Sequence, residues 1–115
     1  MTGRDRDRTY ADALNAEQKG KTDDPCSFNE VIQLQRVDPP QVKGLRRGEL
    51  LALRVRTQNN VTSLICIRID NKKYLGSVAF SNVGKLIQCI KKGRKYNIVV
   101  DAVAGTAVQI EINDA

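Results

Sequence analysis

The chain has 115 residues, no His, three Cys and a formal net charge of +6 at pH 7. This length is typical of a single domain. The absence of His removes the commonest general base and metal ligand, and no apolar run approaches the ~20 residues that span a bilayer.

The positive charge is uneven along the chain. Residues 29–115 contain 14 Lys and Arg against 7 Asp and Glu, whereas residues 1–28 contain 5 against 6. A basic domain behind a near-neutral segment is typical of proteins with a polyanionic partner.

Residues 1–25 are predicted to form a flexible tail or linker, because alternating charges at residues 4–8 offer nothing to bury. Residues 10–18 are rich in helix-favouring side chains, enough for two helical turns. Tyr10 and Leu14 share a face of such a helix, which makes them candidates for binding a protein partner. Residues 26–115 are predicted to be one small β-barrel domain.

The first strand is predicted at residues 28–34, where apolar and polar side chains alternate, and Asp38-Pro39-Pro40 ends it. A clear strand follows at residues 50–57, with Arg54 and Arg56 on the polar face. The next strand covers residues 62–70. Its predicted core face is Ile65, Ile67 and Ile69, with Leu64, Cys66 and Arg68 on the opposite face.

A tight hairpin turn is predicted at residues 70–73, before a short strand at residues 74–78. Gly76 in that strand marks a bulge or a close approach of another backbone. The apolar period then changes to that of a helix at Val83, Leu86, Ile87 and Ile90. Ser81 or Asn82 can cap this helix, and Gly93 suits the left-handed position beyond it.

Two more strands are predicted at residues 96–102 and 108–112, around a turn at residues 104–106. Three strands, a helix and a hairpin give a mostly β fold in the order of a small OB-like barrel, with an SH3-like barrel as the alternative.

The segment Leu45-Arg46-Arg47-Gly48-Glu49 is followed by residues 64–69, 74–78 and 83–93 in the order strand, strand and helix. These segments, which cover roughly residues 44–112, resemble the HIRAN domain, a small OB-like barrel. The chain has Asn59-Asn60-Val61-Thr62 where the family usually has an Asn-Pro and an Asp. The resemblance implies a stand-alone barrel that binds DNA.

The basic residues of the domain cluster on predicted strands, turns and the end of the helix. Outward arginines on adjacent strands can follow a phosphate backbone, and OB barrels commonly hold single strands there. Aromatic residues are few, and Tyr74 is the best candidate for stacking a base. The predicted nucleic-acid-binding residues are Arg46, Arg47, Arg54, Arg56, Arg68, Lys72, Lys73, Tyr74, Lys91, Lys92, Arg94 and Lys95.

No reaction is predicted. Ser63, Ser77 and Ser81 have no His partner for a triad, and the glycines form no phosphate-binding motif. We therefore expect a non-enzymatic protein without catalytic residues, metal site or cofactor. The alternatives are a protein-interaction module, such as an accessory subunit of a bacterial or phage system that uses the tail, and a small-ligand binder.

The three cysteines, Cys26, Cys66 and Cys89, are odd in number and lack C-x-x-C spacing. We expect three unpaired thiols in a reducing compartment. The basic start of the chain has no apolar stretch behind it, unlike a signal peptide. Both observations favour a cytoplasmic protein.

Overall fold

A computed structural model describes residues 24–115 of the chain. The residues of the predicted partner site, Tyr10 and Leu14, lie outside this part. The described elements are β1 Asn29–Gln33, α1 Pro39–Val42, β2 Leu50–Gln58, β3 Val61–Arg68, β4 Tyr74–Val78, α2 Val83–Lys91, β5 Tyr96–Ala104 and β6 Ala107–Asp114. The architecture is mostly β, as predicted, and each predicted strand is present.

The six strands form one antiparallel sheet in the order β1-β6-β5-β2-β3-β4. After β1 the chain crosses to β4, the strand at the opposite edge of the sheet. There Gln35 and Ser77 exchange two backbone hydrogen bonds, with N···O distances of 2.9 and 2.7 Å. The segment that follows β1 therefore connects the β1 end of the sheet to β4.

The core lies between the sheet and α2. Alternate side chains of β6, and of β5 as far as Val100, point into it as their sequence patterns predict, and the apolar stripe of α2 packs there too. A register shift after Val100 leaves Ala102 exposed and turns Val103 toward the core instead. The fully or nearly fully buried members from these elements are Ile98, Val100, Val108, Ile110, Ile112, Leu86 and Cys89.

The prediction of which β3 side chains point into the core is wrong by one residue. Leu64 and Cys66 belong to the main core cluster, because they lie opposite Val55 and Leu53 of β2. Ile65 and Ile67 are also buried, but they lie on the outer face of the sheet and outside that cluster. Apolar residues on both sides of the strand hide which side faces the core.

The connections use backbone conformations that their residues tolerate. Asn59 and Asn60 both have positive φ, 52° and 64°, which is the geometry of a two-residue hairpin turn. A Cβ on Gly76 would lie 3.0 Å from Leu34 Cβ, so the predicted close approach at this glycine is confirmed.

The helices differ from the sequence-based expectation at their first residues. The sequence does not predict α1, which begins with Pro39 and Pro40, where a missing N–H costs no intrahelical hydrogen bond. Asn82 is the N-cap of α2, but its side chain makes no capping hydrogen bond. Gly93 has the predicted positive φ, 98°. Neither described helix is long and apolar enough to cross a bilayer.

Cys26 and Cys89 form a disulfide that links positions 63 residues apart. The expectation of three unpaired thiols is therefore wrong, and Cys66 alone is free. Burial raises the pKa of the Cys66 thiol to about 12. Disulfides persist mainly in oxidising compartments, so the expectation of a cytoplasmic protein loses the support that it took from free thiols.

Candidate nucleic-acid interface

Arg54 and Arg56 extend from the outer face of β2, as the alternation of that strand predicts. In the antiparallel register Arg54 lies opposite Ile65, which in turn lies opposite Ser77 of β4. Arg56 lies opposite Ser63. Both arginines are exposed, and neither forms an ion pair with the described residues.

Tyr74 is held on the same face by its hydroxyl group. The hydroxyl donates to the backbone oxygen of Arg36 at 2.7 Å and lies 3.1 Å from the Ser77 hydroxyl. The guanidinium carbon of Arg56 lies 5.5 Å from the centre of the ring, within cation–π range. The ring and the guanidinium group therefore form one half-exposed unit.

Arg56, Tyr74 and Ser77 border a groove of about 350 Å³, which we call the outer groove. Ile65 contributes to its apolar lining, and Ser63 and Ser77 supply hydroxyl groups. Two cations, Arg36 and Arg56, line it as well. The groove therefore combines positive charge, an aromatic ring and hydrogen-bonding groups.

Sequence reasoning did not select Arg36. It follows Gln35, whose hydrogen bonds to Ser77 bring the segment beside β4. Its backbone has a positive φ of 49°. The pairing joins residues 42 positions apart in the sequence, and no local pattern signals such a contact. The Asp38-Pro39-Pro40 boundary shows only that a strand ends nearby.

Arg68 is not part of an exposed cationic face, and its prediction as a contact residue is wrong. Its relative exposure is 7%, because it shares the core-facing side of β3 with Leu64 and Cys66. Its guanidinium group makes ion pairs of 3.2 Å with Glu49 and 3.1 Å with Asp70. These two carboxylates neutralise the positive charge of Arg68, which the sequence predicts to contact nucleic acid.

Four other predicted cations lie near the end of the sheet where β3 finishes. Arg46 and Arg47 are exposed on the loop between α1 and β2, and Lys72 and Lys73 are exposed on the turn between β3 and β4. The groove residues Gln58, Val61 and Ser63 lie toward the other end of β2 and β3, whereas Tyr74 directly follows Lys73 at the start of β4.

The last predicted cluster follows α2. Lys91, Lys92 and Lys95 are exposed. Arg94 instead forms an ion pair with Asp24, with one N···O distance of 3.1 Å. Hydrogen bonding to Arg94 holds the pKa of Asp24 below its usual value, and the same contact raises the pKa of Arg94.

Tyr96 and Phe80 pack against the core rather than offering stacking surfaces. Phe28 makes edge-to-face contacts with both rings, at centroid distances of 5.8 and 6.4 Å. The Tyr96 hydroxyl donates to the backbone oxygen of Cys26 at 2.6 Å. Burial raises the pKa of Tyr96.

Charge is segregated between the two halves of the sheet. The strands β2, β3 and β4 contain three arginines and no Asp or Glu. The strands β1, β5 and β6 contain no Lys or Arg and four carboxylates, namely Glu30, Asp101, Glu111 and Asp114. An anion would thus be attracted to the half of the sheet that contains the outer groove.

Comparison with known proteins finds no matching family model, no similar curated protein and no similar solved structure. Within residues 24–115, no three side chains of His, Cys, Asp or Glu are grouped to hold a metal ion. Functional inference for this chain therefore depends on the geometry and charge of its own surface.

Proposed function

We propose that this chain is a non-catalytic DNA-binding module that holds a single strand in the outer groove. The observation that carries the proposal is the unit formed by Arg56 and Tyr74, with Arg36 beside it. Proteins that bind single strands combine cations that follow the phosphates with aromatic rings on which bases stack. In a duplex the faces of the bases are already stacked, so the ring favours a single strand.

The fold supports the same proposal. We propose that the sheet is an OB-like barrel in which the Gln35–Ser77 pairing draws the two ends of the strand order together. In OB barrels, nucleic acid commonly lies across the face of the second and third barrel strands. The corresponding strands here are β3 and β4, next to the arginines of β2. The resemblance to the HIRAN domain is the reason to propose DNA rather than RNA.

A titration of fluorescently labelled oligonucleotides by anisotropy tests the proposal. Single-stranded DNA, the same sequence as RNA and the matching duplex are compared at two salt concentrations. We expect the tightest binding to single-stranded DNA. The affinity should fall with salt, with a slope of log affinity against log salt of about −0.7 for each phosphate contacted.

Substitutions in the groove separate stacking from charge. Tyr74→Ala should weaken binding by about 1–3 kcal/mol, which is roughly 5- to 150-fold, whereas Tyr74→Phe keeps the ring and should lose much less. Arg56→Ala should reduce the salt slope. Lys85→Ala removes an exposed cation from α2 and is the matched control. Absence of binding at low salt, or equal effects of Arg56→Ala and Lys85→Ala, would refute the proposal.

A further inference from the structure

Arg68 connects three separate parts of the chain through one guanidinium group. It donates to the backbone oxygens of Gln41 and Lys43 at 2.8 and 3.0 Å, which are at and just after the end of α1. It donates to Glu49, immediately before β2, at 3.2 Å. It also makes two hydrogen bonds to Asp70, in the turn after β3, at 3.2 and 3.1 Å.

Through these contacts Arg68 joins a loop and a turn that both carry exposed cations. The loop from Lys43 to Glu49 contains Arg46 and Arg47, and the turn after β3 contains Lys72 and Lys73. We call these four residues, together with Lys43, the basic end of the sheet. Other hydrogen bonds support the same arrangement: Glu49 accepts from the Arg46 N–H at 3.3 Å, and Asn71 Nδ2 donates to Gln41 Oε1 at 2.9 Å.

The turn itself also depends on the backbone of Arg68. The N–H of Lys72 donates to the Arg68 oxygen at 2.9 Å, and the N–H of Arg68 donates to the Lys73 oxygen at 3.0 Å. The side chain of Arg68 therefore ties the loop to a turn that its main chain helps to form. A change at this residue would alter the separation of the two cationic segments without removing any of their charges.

We propose that Arg68 is a positioning residue that assembles the basic end into a second phosphate-binding surface. This inference rests on the proposed function. Ile65 and Tyr74 line the outer groove. Arg68 ends the strand that contains Ile65, about 10 Å further along it, and Tyr74 directly follows Lys73 of the basic end, so the two surfaces adjoin. One single strand can therefore occupy the groove and continue onto the basic end.

The decisive test uses substitutions that increase the positive charge. Glu49→Ala and Asp70→Ala each remove a carboxylate, so a purely electrostatic role predicts tighter binding of DNA. The positioning role predicts the opposite, because the loop and the turn separate. We expect each variant to bind a long single strand several-fold more weakly, with a salt slope smaller by about 0.7 for each phosphate that the basic end no longer binds.

Glu111→Ala is the matched control, since it removes a carboxylate from β6 in the other half of the sheet. It should bind no more weakly than the natural chain. Oligonucleotide length gives a second readout. A dinucleotide, with its single phosphate, can occupy only the groove and should bind equally to all variants, whereas an oligonucleotide of about 16 nucleotides should bind more weakly to Glu49→Ala and Asp70→Ala.

Tighter binding of Glu49→Ala and Asp70→Ala, like that of Glu111→Ala, would overturn the positioning role. Equal losses of affinity for short and long oligonucleotides would overturn the second surface. If the natural chain binds no oligonucleotide, the proposed function itself fails. Hydrogen exchange of the amides at residues 43–49 and 70–73 then still tests Arg68: faster exchange in Arg68→Lys supports positioning, and unchanged exchange refutes it.

Discussion

Removal of the disulfide between Cys26 and Cys89 should destabilise the domain strongly. The bond closes a loop of 63 residues, for which the chain-entropy relation gives about 4 kcal/mol at 25 °C. The free energy of unfolding of a typical domain is about 5–15 kcal/mol, so the disulfide supplies a large part of the total. For a domain of this size, the loss corresponds to a fall in Tm of roughly 15–30 °C.

Cys26→Ala is the better variant because Cys26 is half-buried, whereas Cys89 is almost fully buried and its replacement would also leave a cavity. Native contacts of this segment remain in the variant. The backbone oxygen of Cys26 still accepts from Tyr96, and the N–H of Phe28 donates to Asp114 at 2.9 Å. The expected loss of stability therefore acts mainly through the unfolded chain.

Urea denaturation followed by circular dichroism, with and without a dithiol reductant, measures this effect. The natural chain should lose stability in reductant, Cys26→Ala should be insensitive to it, and Cys66→Ala should remain sensitive. Titration of thiols in denaturant without reductant should find one thiol, that of Cys66. The pairing would be contradicted by three reactive thiols, or by an unfolding midpoint of the natural chain that does not change in reductant.

Three further predictions each concern a single position. Gly76→Ala should cost about 1–3 kcal/mol, because the added Cβ would lie 3.0 Å from Leu34 Cβ and 3.2 Å from the Gln35 oxygen. Gly84→Ala meets no atom within 4 Å in α2 and should instead stabilise by roughly 0.5–1 kcal/mol, as urea unfolding of both variants would show. Asp24→Asn should lower the Tm at neutral pH, because the folded pKa of Asp24 is depressed by Arg94. A depressed pKa adds stability above the unfolded value of 3.8 and loses it as the pH falls through the folded value, so the difference in Tm should disappear in acid.

Elements with one polar side could be predicted from the sequence. In β6 the residues Val108, Ile110 and Ile112 alternate with polar neighbours, and all three are buried as expected. The stripe of α2 is equally clear, because Val83, Leu86, Ile87 and Ile90 recur at helical spacing. Each of these patterns fits only one orientation of the element toward the core, since a shift by one residue would bury polar side chains.

The disulfide and Arg36 could not be predicted, for a different physical reason. Both depend on contacts between distant parts of the chain. Cys26 meets a cysteine 63 residues away, near the packing of Phe28 against Tyr96. Arg36 lines the groove next to Gln35, which pairs with Ser77. Cysteine number and spacing describe frameworks and metal sites, but they do not reveal a single long-range pair.

The side of β3 that faces the core determines whether Arg68 is exposed or buried. A run of apolar residues from Leu64 to Ile67 satisfies either facing, and the choice of Ile65 and Ile67 as the core side placed Arg68 outside with Arg54. The observed register has the opposite consequence. Leu64 and Cys66 pack into the main core, so Arg68 must lie on the core side as well, and a buried guanidinium group requires carboxylates and backbone oxygens around it. Ile65 then lies in the lining of the outer groove, with only 4% of its surface exposed. The same one-residue shift thus removes a cation from the candidate interface and places a buried apolar side chain in the lining of the groove.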